Sequence, residues 1–480
     1  MELIFIPILF SVLSAWAGKW SRWTAFLGSL LTGFFLLYFF LNFNPAAGVQ
    51  WQWNKPWFSS AIHFHTGIDG ITMVMLILTN VLCPIILLSA FNKKETAPLL
   101  FALIVGMQGA LNGVFVARDG LMFYIFWELA LIPVYFISGL WGEGNRFKTT
   151  LRFFIYTFIG SLAMLASLIY LFSKTPDSSS FSYEALIAVQ LNPTEAFWVG
   201  FGLLLAFAVK IPLMPLHGWQ PSTYTEAPAV GTMLLSGIML KMGLYGLIRW
   251  FMPMVPEALS IFVPIIVTCG IAGVLYAALI AIRQNDMKRI VAFSSLSHVG
   301  LIAAGIAVSG ETGMQGGILQ MFSHGVNAVG LFLAIDIIER RNHTRMLDAL
   351  GGMAGQSRAF AVFFLIIVLG ATAVPFTNGF PGELLLLKSV FSYGPVWGVL
   401  AGITVILCAV YMLRMYQFSM LGESKGTSFP ALQWHEWIAL SGIVFLILFF
   451  GLFPQLILDI SAPAVKQLLL LMQNSKEVIS

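Results

Sequence analysis

The chain is short of charge. Only 10% of its 480 residues are Asp, Glu, Lys or Arg, whereas a soluble domain carries ~25%. Hydrophobic residues make up 59% of the chain, and they form runs of about 20 residues, which is the length that crosses a bilayer. No basic stripe suggests binding to nucleic acid. The composition therefore excludes a soluble enzyme and predicts an integral membrane protein with little chain outside the membrane.

Cysteine and cofactor motifs are also scarce. Cys83, Cys269 and Cys408 lie in three separate apolar segments, a spacing that suits neither a disulfide nor a metal site, so we interpret them as small core residues. The sequence has no P-loop, no dinucleotide fingerprint and no cysteine cluster for iron–sulfur. We therefore expect no cofactor and no metal in this chain. The N-terminus lacks a basic region before its apolar run, which favours a first span over a signal peptide.

Apolar runs predict an all-α polytopic fold of fourteen transmembrane helices. We place them at 2–18, 23–43, 70–91, 97–117, 120–141, 149–173, 195–223, 228–251, 257–282, 287–308, 313–338, 359–391, 395–421 and 434–458. The longest connection, 44–69, holds Trp51, Trp53 and Trp57, as an interfacial aromatic belt does. The short tail after helix 14 is predicted to lie along the interface.

Basic residues are distributed unevenly between the two sides. Sixteen Lys and Arg residues, Lys93 and Lys94 among them, fall in connections after odd-numbered helices. Six fall on the other side, including Arg249 at the end of helix 8. The positive-inside rule places the first set in the cytoplasm. We therefore predict both termini on the side of the membrane opposite the cytoplasm.

Proline and glycine interrupt two of the helices. The seventh contains KIPLMPLHGWQP and the twelfth contains VPFTNGFPGE. Non-helical backbone at membrane depth survives only when it is buried in protein or lines a wet cavity, and paired breaks are typical of inverted repeats. Because these breaks are five helices apart, we predict two inverted five-helix repeats. The resulting division is 1–96 for helices 1–3, 97–251 for helices 4–8, 257–421 for helices 9–13 and 434–480 for helix 14 with the tail.

Four charges lie inside apolar runs, namely Glu128, Lys210, Lys241 and Glu383. Each costs at least ~2.5–3.5 kcal/mol at bilayer depth, so intramembrane charges mark proton or ion paths by default. The alternatives are a packing carboxyl for Glu128, snorkelling for Lys210 and helix N-terminal capping for Glu383. Flanking apolar sequence makes snorkelling difficult for Lys241.

Three histidines and one more lysine are weaker candidates. His298 and His324 each follow or precede a serine within a helix, which suits either structural hydrogen bonding or membership of a proton wire. His217 lies at the first break and is expected to line water. Lys388 follows the second break, and we interpret it as a snorkelling residue rather than a partner of Glu383.

Five stretches carry a resemblance to a known family. They are FWELALIPVYFISGLWG, LLAFAVKIPLMPLHGW, TEAPAVGTMLLSGIMLKMGLYGLIR, NDMKRIVAFSSLSHVG and FSHGVNAVGLF. The sequence resembles the antiporter-like membrane subunits of respiratory complex I, NADH:quinone oxidoreductase, which are related to Mrp cation/proton antiporter subunits. Glu383 matches the chain M (subunit 4) type, whereas chain N and Mrp subunits usually have lysine there. The chain L type carries a long C-terminal lateral helix, and here the tail is short.

The resemblance implies both a site and a function. Glu128 and Lys210 would form the ion pair of a first half-channel, Lys241 the central relay and Glu383 the terminal group, with His298 and His324 on the connecting axis. The chain would translocate protons by this relay, coupled to redox chemistry in partner subunits that hold NAD, FMN, iron–sulfur clusters and quinone. Chain L and chain N type subunits would be its neighbours in the membrane.

Three other functions stay open. The chain could be a subunit of an Mrp-type Na⁺/H⁺ antiporter, a subunit of a membrane-bound hydrogenase, or a passive scaffold. The sequence also departs from the family at one place: where the family usually reads WLPDAH, this chain reads WQPSTY at 219–224. An acid and a histidine are missing there, and Glu226 is the candidate replacement for the carboxylate. The proton entry route is therefore left open.

Overall fold

In a computed structural model of the protein, the structure describes residues 1–92, 97–176, 180–308, 310–425 and 429–477. Lys93 and Lys94, which entered the orientation count, lie outside the described residues, as do 478–480 of the tail. The first part of the chain forms helices α1 (Glu2–Trp16), α2 (Ser21–Leu41), α3 (Gly70–Ser89), α4 (Pro98–Val116), α5 (Gly120–Leu129), α6 (Leu131–Trp141), α7 (Arg146–Lys174) and α8 (Tyr183–Ile187).

The remainder is helical as well. Its helices are α9 (Pro193–Lys210), α10 (Gln220–Glu226), α11 (Ala229–Leu234), α12 (Leu240–Gly246), α13 (Met252–Met254), α14 (Leu259–Arg283), α15 (Met287–Ala307), α16 (Glu311–Asn342), α17 (Met353–Gln356), α18 (Arg358–Ala371), α19 (Gly379–Tyr393), α20 (Pro395–Met420), α21 (Trp434–Leu452) and α22 (Gln455–Glu477).

Thirteen stretches of the described chain are helical, long and apolar enough to cross a membrane. Twelve coincide with predicted helices; the thirteenth, Gln455–Gln473, lies in the tail. The first predicted helix is a shorter apolar helix, and the twelfth is divided between α18 and α19. The polytopic helical fold is confirmed, while the count of fourteen and the inverted repeats stay predictions.

The connection before α3 forms two β-strands, which were not predicted from the sequence. Strands β1 (Gln50–Ser59) and β2 (Ile62–Ile68) pair antiparallel as a hairpin. β2 is mostly buried and β1 mostly exposed, and Trp51 packs on Phe39 with ring centroids 5.0 Å apart. The tryptophans therefore shape a hairpin against the bundle. We call the end of the bundle that carries β1 and β2 the hairpin end.

The tail also differs from its predicted bounds. Helix α21 ends at Leu452, six residues before the predicted end, and α22 starts at Gln455. Helix α22 packs on α3, α16 and the turn Pro45–Ala47, so it contacts the hairpin end. Its Ile460 carbonyl lies so close to Gly70 that a Cβ there would overlap it.

Both predicted breaks are present. Between Lys210 and Gln220, and between Ala371 and Gly379, the chain leaves α-helix. Side chains from neighbouring segments satisfy the exposed backbone groups. Trp219 Nε1 donates to Val209 O at 2.9 Å, and Asn327 Nδ2 of α16 donates to Gly370 O at 2.9 Å. Helix 7 and helix 12 are therefore broken, and these side chains cap part of the backbone that the breaks free.

Two helices form the centre of the bundle. The apolar windows of Ala229–Met254 and of α16 are both 100% buried. Polar side chains on these helices therefore face other helices rather than lipid. This burial positions the candidate site described next.

Candidate functional site

Lys241 lies on the buried central helix between two irregular turns. The segments Leu235–Met239 and Leu247–Phe251 are π-helical and flank α12. Such π turns occur frequently at functional sites because they re-aim the side chains around them. The Lys241 side chain is 0% exposed. Snorkelling is thereby excluded, as its apolar surroundings in sequence suggested.

The Lys241 ammonium is held by two acceptors. It donates to the backbone carbonyl of Ser236, which the π turn places within reach, and it lies 2.9 Å from His324 Nδ1. When Lys241 is charged it has only donors, so His324 Nδ1 then accepts and the His324 proton is on Nε2. The contact joins α12 to α16, and it gives a proton on Lys241 a direct acceptor across the helix interface.

The polar row continues from His324 towards α19. The rings of His324 and His298 lie 5.9 Å apart, and His298 Nδ1 lies 3.9 Å from Glu383 Oε2. A cavity of about 20 Å³ is lined by both histidines together with Ser295, Gln320 and Asn327. That volume holds one water molecule, which is enough to bridge the histidine rings.

Glu383 occupies the far end of this row. It is 4% exposed, and its Oε2 has no hydrogen-bond partner in the described structure. Helix α19 begins at Gly379, so Glu383 lies beyond the first turn. The geometry does not support the capping alternative. We call Lys241, His324, His298 and Glu383 the lateral row. It leads from Lys241 in the first predicted repeat to the other three residues in the second.

Lys210 and Glu128 stand apart from the lateral row. Lys210 ends α9, is 2% exposed, and its Nζ has no hydrogen-bond partner among the described residues. The Nζ lies 5.1 Å from the ring of Trp127, a cation–π arrangement. Glu128 is half-buried near the end of α5. The direct pair implied by the resemblance is not formed in this structure, and its role stays a prediction.

A glycine brings the two lysine-bearing helices together. A Cβ at Gly243 would lie 2.7 Å from Ile211 Cγ1 and 3.2 Å from Lys210 Cβ, so α9 and α12 can touch only because this residue has no side chain. The close approach places the Lys210 backbone beside the segment that carries Lys241.

We expect Gly243→Val to force α9 and α12 apart and to destabilise the protein by about 1–3 kcal/mol, the usual cost of overpacking. Thermal unfolding of the purified protein measures this loss. Gly402→Val is the matched control, because Gly402 also lies in an apolar helix and nothing lies within 4 Å of its would-be Cβ. An equal effect of both substitutions would refute the close-packing argument.

The two weakest candidates lie away from the row. His217 is at the first break, where its ring lies 5.1 Å from that of Tyr276 on α14, and Tyr276 is itself 38% exposed. Lys388 is exposed on α19. The structure brings neither residue to Lys241 or Glu383, and the exposure of Lys388 agrees with the snorkelling interpretation.

Several polar contacts of the bundle were not predicted from the sequence. Cys408 Sγ lies 3.5 Å from His298 Nε2, and Tyr411 donates to Ser294 Oγ at 3.1 Å beside it. Cys408 is buried as predicted, but it faces the lateral row. At the end opposite the hairpin, Thr149 donates to Glu226 Oε2 at 2.6 Å. No local signal in the sequence pairs these residues.

A buried ion pair at the hairpin end was also missed. Arg249 pairs with Asp69, and both are 5% exposed. The sequence placed Arg249 at the end of helix 8 and gave it no partner, and Asp69 received no role. The π-helical turn Leu247–Phe251 carries Arg249 at the hairpin end and keeps it inside the bundle. The signal was the arginine at the end of an otherwise apolar run.

A buried row of Lys, His and Glu between interrupted helices defines a polytopic membrane protein of the ion-translocating class. A family model described as "NADH:quinone oxidoreductase/Mrp antiporter, TM" matches residues 117–408. The chain belongs to this family.

Two relatives and two structures illustrate the similarity. NADH-quinone oxidoreductase subunit M of Rickettsia prowazekii (strain Madrid E) is 34% identical, over 97% of this chain and 98% of the relative. The subunit M of Escherichia coli (strain K12) is 32% identical, over 96% of each. A chain of respiratory complex I from Thermus thermophilus with bound NADH has a TM-score of 0.92 at 29% identity, over 98% of this chain and 100% of that one. A chain of the Mrp complex from Dietzia sp. DQ12-45-1b has a TM-score of 0.88 at 20% identity, over 100% of this chain and 98% of that one, and shows the fold alone. The recognised chain M resemblance is confirmed.

Proposed function

We propose that this chain is a proton-translocating membrane-arm subunit of a bacterial NADH:quinone oxidoreductase. The observation that carries the proposal is the lateral row, in which Lys241 contacts His324 and His298 approaches Glu383 inside the bundle. The relatives are named as subunit M of NADH-quinone oxidoreductase, and these names support the proposed complex and its redox reaction. In this proposal, NAD, FMN, iron–sulfur clusters and quinone bind to partner subunits, and neighbours of the chain L and chain N types flank this one.

The proposed step is electrostatic. A change in a neighbouring subunit moves the Glu128 carboxylate relative to Lys210 and alters the field at Lys241. Lys241 then releases its proton to His324, from which it passes by His298 to Glu383. A pKa shift of one unit corresponds to ~1.4 kcal/mol, and moving a charge across the membrane potential costs ~2.3 kcal/mol per 100 mV. Shifts of a few units at these buried groups are therefore sufficient.

The orientation follows from the distribution of basic residues. The hairpin end would face the periplasm together with both termini, and the end with Glu226 would face the cytoplasm. Glu226, hydrogen-bonded to Thr149, is the carboxylate we assign to proton entry in place of the missing acid at position 222.

Affinity purification of the tagged chain from its native membrane tests the assembly. We expect NADH-oxidising subunits with FMN to co-purify. Recovery of nickel–iron subunits would instead make the complex a hydrogenase. Recovery of cation/proton antiporter subunits alone would favour the Mrp alternative.

We expect Lys210→Met to lower NADH-driven proton translocation about tenfold, the effect of ~1.4 kcal/mol on one step. Its ammonium has no hydrogen bond to lose, so assembly should persist. Acidification of vesicles that contain the complex measures the rate, and Lys425→Met, at an exposed lysine, is the control. Unchanged translocation in the assembled complex would favour the alternative that the chain is a passive scaffold.

A further inference from the structure

A second polar line begins one helical turn past Lys241 and runs towards the hairpin end. Tyr245 lies one turn further along α12, the spacing at which helical side chains are neighbours. Its hydroxyl donates to Phe115 O at 2.7 Å and lies 3.2 Å from Thr72 Oγ1. Hydroxyl groups therefore lie one turn beyond Lys241 on the hairpin side, whereas the Lys241 ammonium itself contacts Ser236 O and His324.

This line meets the buried pair of Arg249 and Asp69. Arg249 Cζ lies 5.9 Å from the Tyr245 ring, and its guanidinium bonds the Asp69 carboxylate. Asp69 also accepts from Thr72 N at 3.0 Å, which caps α3. Burial disfavours the Asp69 carboxylate, but Arg249 and this backbone N–H outweigh burial and hold the pKa of Asp69 below its usual value. The pair is therefore charged.

Beyond the pair the line reaches the surface. The ring of Tyr183 lies between two guanidinium groups, with Arg249 Cζ at 5.8 Å and Arg118 Cζ at 4.4 Å. Arg118 pairs in turn with Glu184, whose side chain is 55% exposed. Polar groups thus extend from Tyr245, one turn past Lys241, to the hairpin end, and two arginines lie across this line.

An arginine in this place opposes a proton. Its guanidinium stays charged at any physiological pH, and a fixed positive charge in a narrow polar passage excludes protons and cations. The repulsion is strong because the local dielectric constant is low. A proton that left Lys241 by Tyr245 would approach Arg249 before it reached water.

We propose that Arg249, positioned by Asp69, is an electrostatic barrier that blocks the escape of protons from Lys241 at the hairpin end. The barrier leaves the lateral row as the open route. This inference rests on the proposed function, since it requires that Lys241 carries a proton.

Passive proton flux tests the barrier. Complex with Arg249→Gln is reconstituted into vesicles without NADH, and an imposed pH gradient is followed to its collapse. We expect a severalfold faster collapse than with the unchanged complex. Arg249→Lys keeps a positive charge beside Asp69, but a lysine can release its proton, so it should leak less than Arg249→Gln and more than the unchanged complex. The leak should disappear in Arg249→Gln combined with Lys241→Met, because the route then lacks its proton carrier.

Two further variants separate a leak from a loosened fold. Arg340→Gln breaks the ion pairs of Arg340 with Asp336 and Glu436, near the last residue of α16. A complex with this substitution should not leak. Where Arg249→Gln fails to assemble, Asp69→Asn with Arg249→Met replaces the pair by neutral groups, which buried sites often tolerate, and should leak.

Three results would overturn the proposal: a tight Arg249→Gln complex, an equal leak with Arg249→Lys, or a leak that persists with Lys241→Met. A failure of the proposed function is distinguishable, because it appears as undiminished NADH-driven pumping in Lys241→Met alone.

Discussion

Lys241→Met should abolish NADH-driven proton translocation while the complex still assembles. Lys241 contributes the protonatable group between the helix that bears Lys210 and the histidine on α16, and its Nζ lies 2.9 Å from His324 Nδ1. Methionine fills similar space but carries no proton. We expect the rate to fall by more than ~100-fold, since each ~1.4 kcal/mol added to a transfer step slows it tenfold. Acidification of complex-containing vesicles on addition of NADH measures the loss.

Stability distinguishes this result from simple unfolding. The substitution removes a buried charge, and replacement of buried ionic groups by apolar ones of similar volume is often neutral or stabilising. It also leaves His324 Nδ1 without its donor, which costs ~1–3 kcal/mol. These two effects oppose each other, so the unfolding midpoint of the complex should change little.

Lys388→Met is the matched control, because Lys388 is an exposed lysine on an apolar helix. It should pump at the unchanged rate. Equal losses in both variants would show that any lysine substitution in these helices disrupts the complex, and the relay role of Lys241 would be refuted.

The sequence predicted correctly those features that depend on single residue types, namely the helix breaks and the buried charges. Proline lacks a backbone donor and glycine lowers helix stability wherever they occur, so the interruptions after Lys210 and Ala371 followed from residue type. Lys241 and Glu383 were recognisable because charge in an apolar run is costly in any arrangement. Both side chains are buried, as that argument requires.

The sequence could not supply contacts between distant segments. Lys241 and His324 are 83 residues apart, and Asp69 and Arg249 are 180 residues apart. Such pairs depend on how α3, α12 and α16 pack, which no local pattern encodes. Arg249 was recognisable as a charge at the end of helix 8, but neither its burial nor its pairing with Asp69 follows from that position.

The hairpin was missed for a related reason. The tryptophans of β1 satisfy the aromatic-belt pattern, and the alternation of polar and apolar residues is short in each strand, at 50–53 in β1 and 62–65 in β2. The strands acquire their stability from packing against α2 and from the contact of β2 with the α4–α5 connection, including Arg118 N donating to His65 O at 2.8 Å. These contacts are tertiary.

Glu383→Gln provides the second strong test, at the other end of the lateral row. Glutamine keeps the size and the hydrogen-bonding oxygen of the side chain, but it cannot accept a proton. Glu383 Oε2 has no hydrogen-bond partner in the described structure, so little structure depends on its charge. We expect proton translocation to fall as far as in Lys241→Met, with the vesicle assay as the measurement.

The double variant makes the prediction sharper. Lys241 and Glu383 act in series in the proposed route, so Lys241→Met combined with Glu383→Gln should pump no worse than either variant alone. Residues that act as one unit show this non-additivity. Glu423→Gln, at an exposed carboxylate, should pump normally. Additive losses in the double variant would mean two parallel routes, because a single row through His324 and His298 can be interrupted only once.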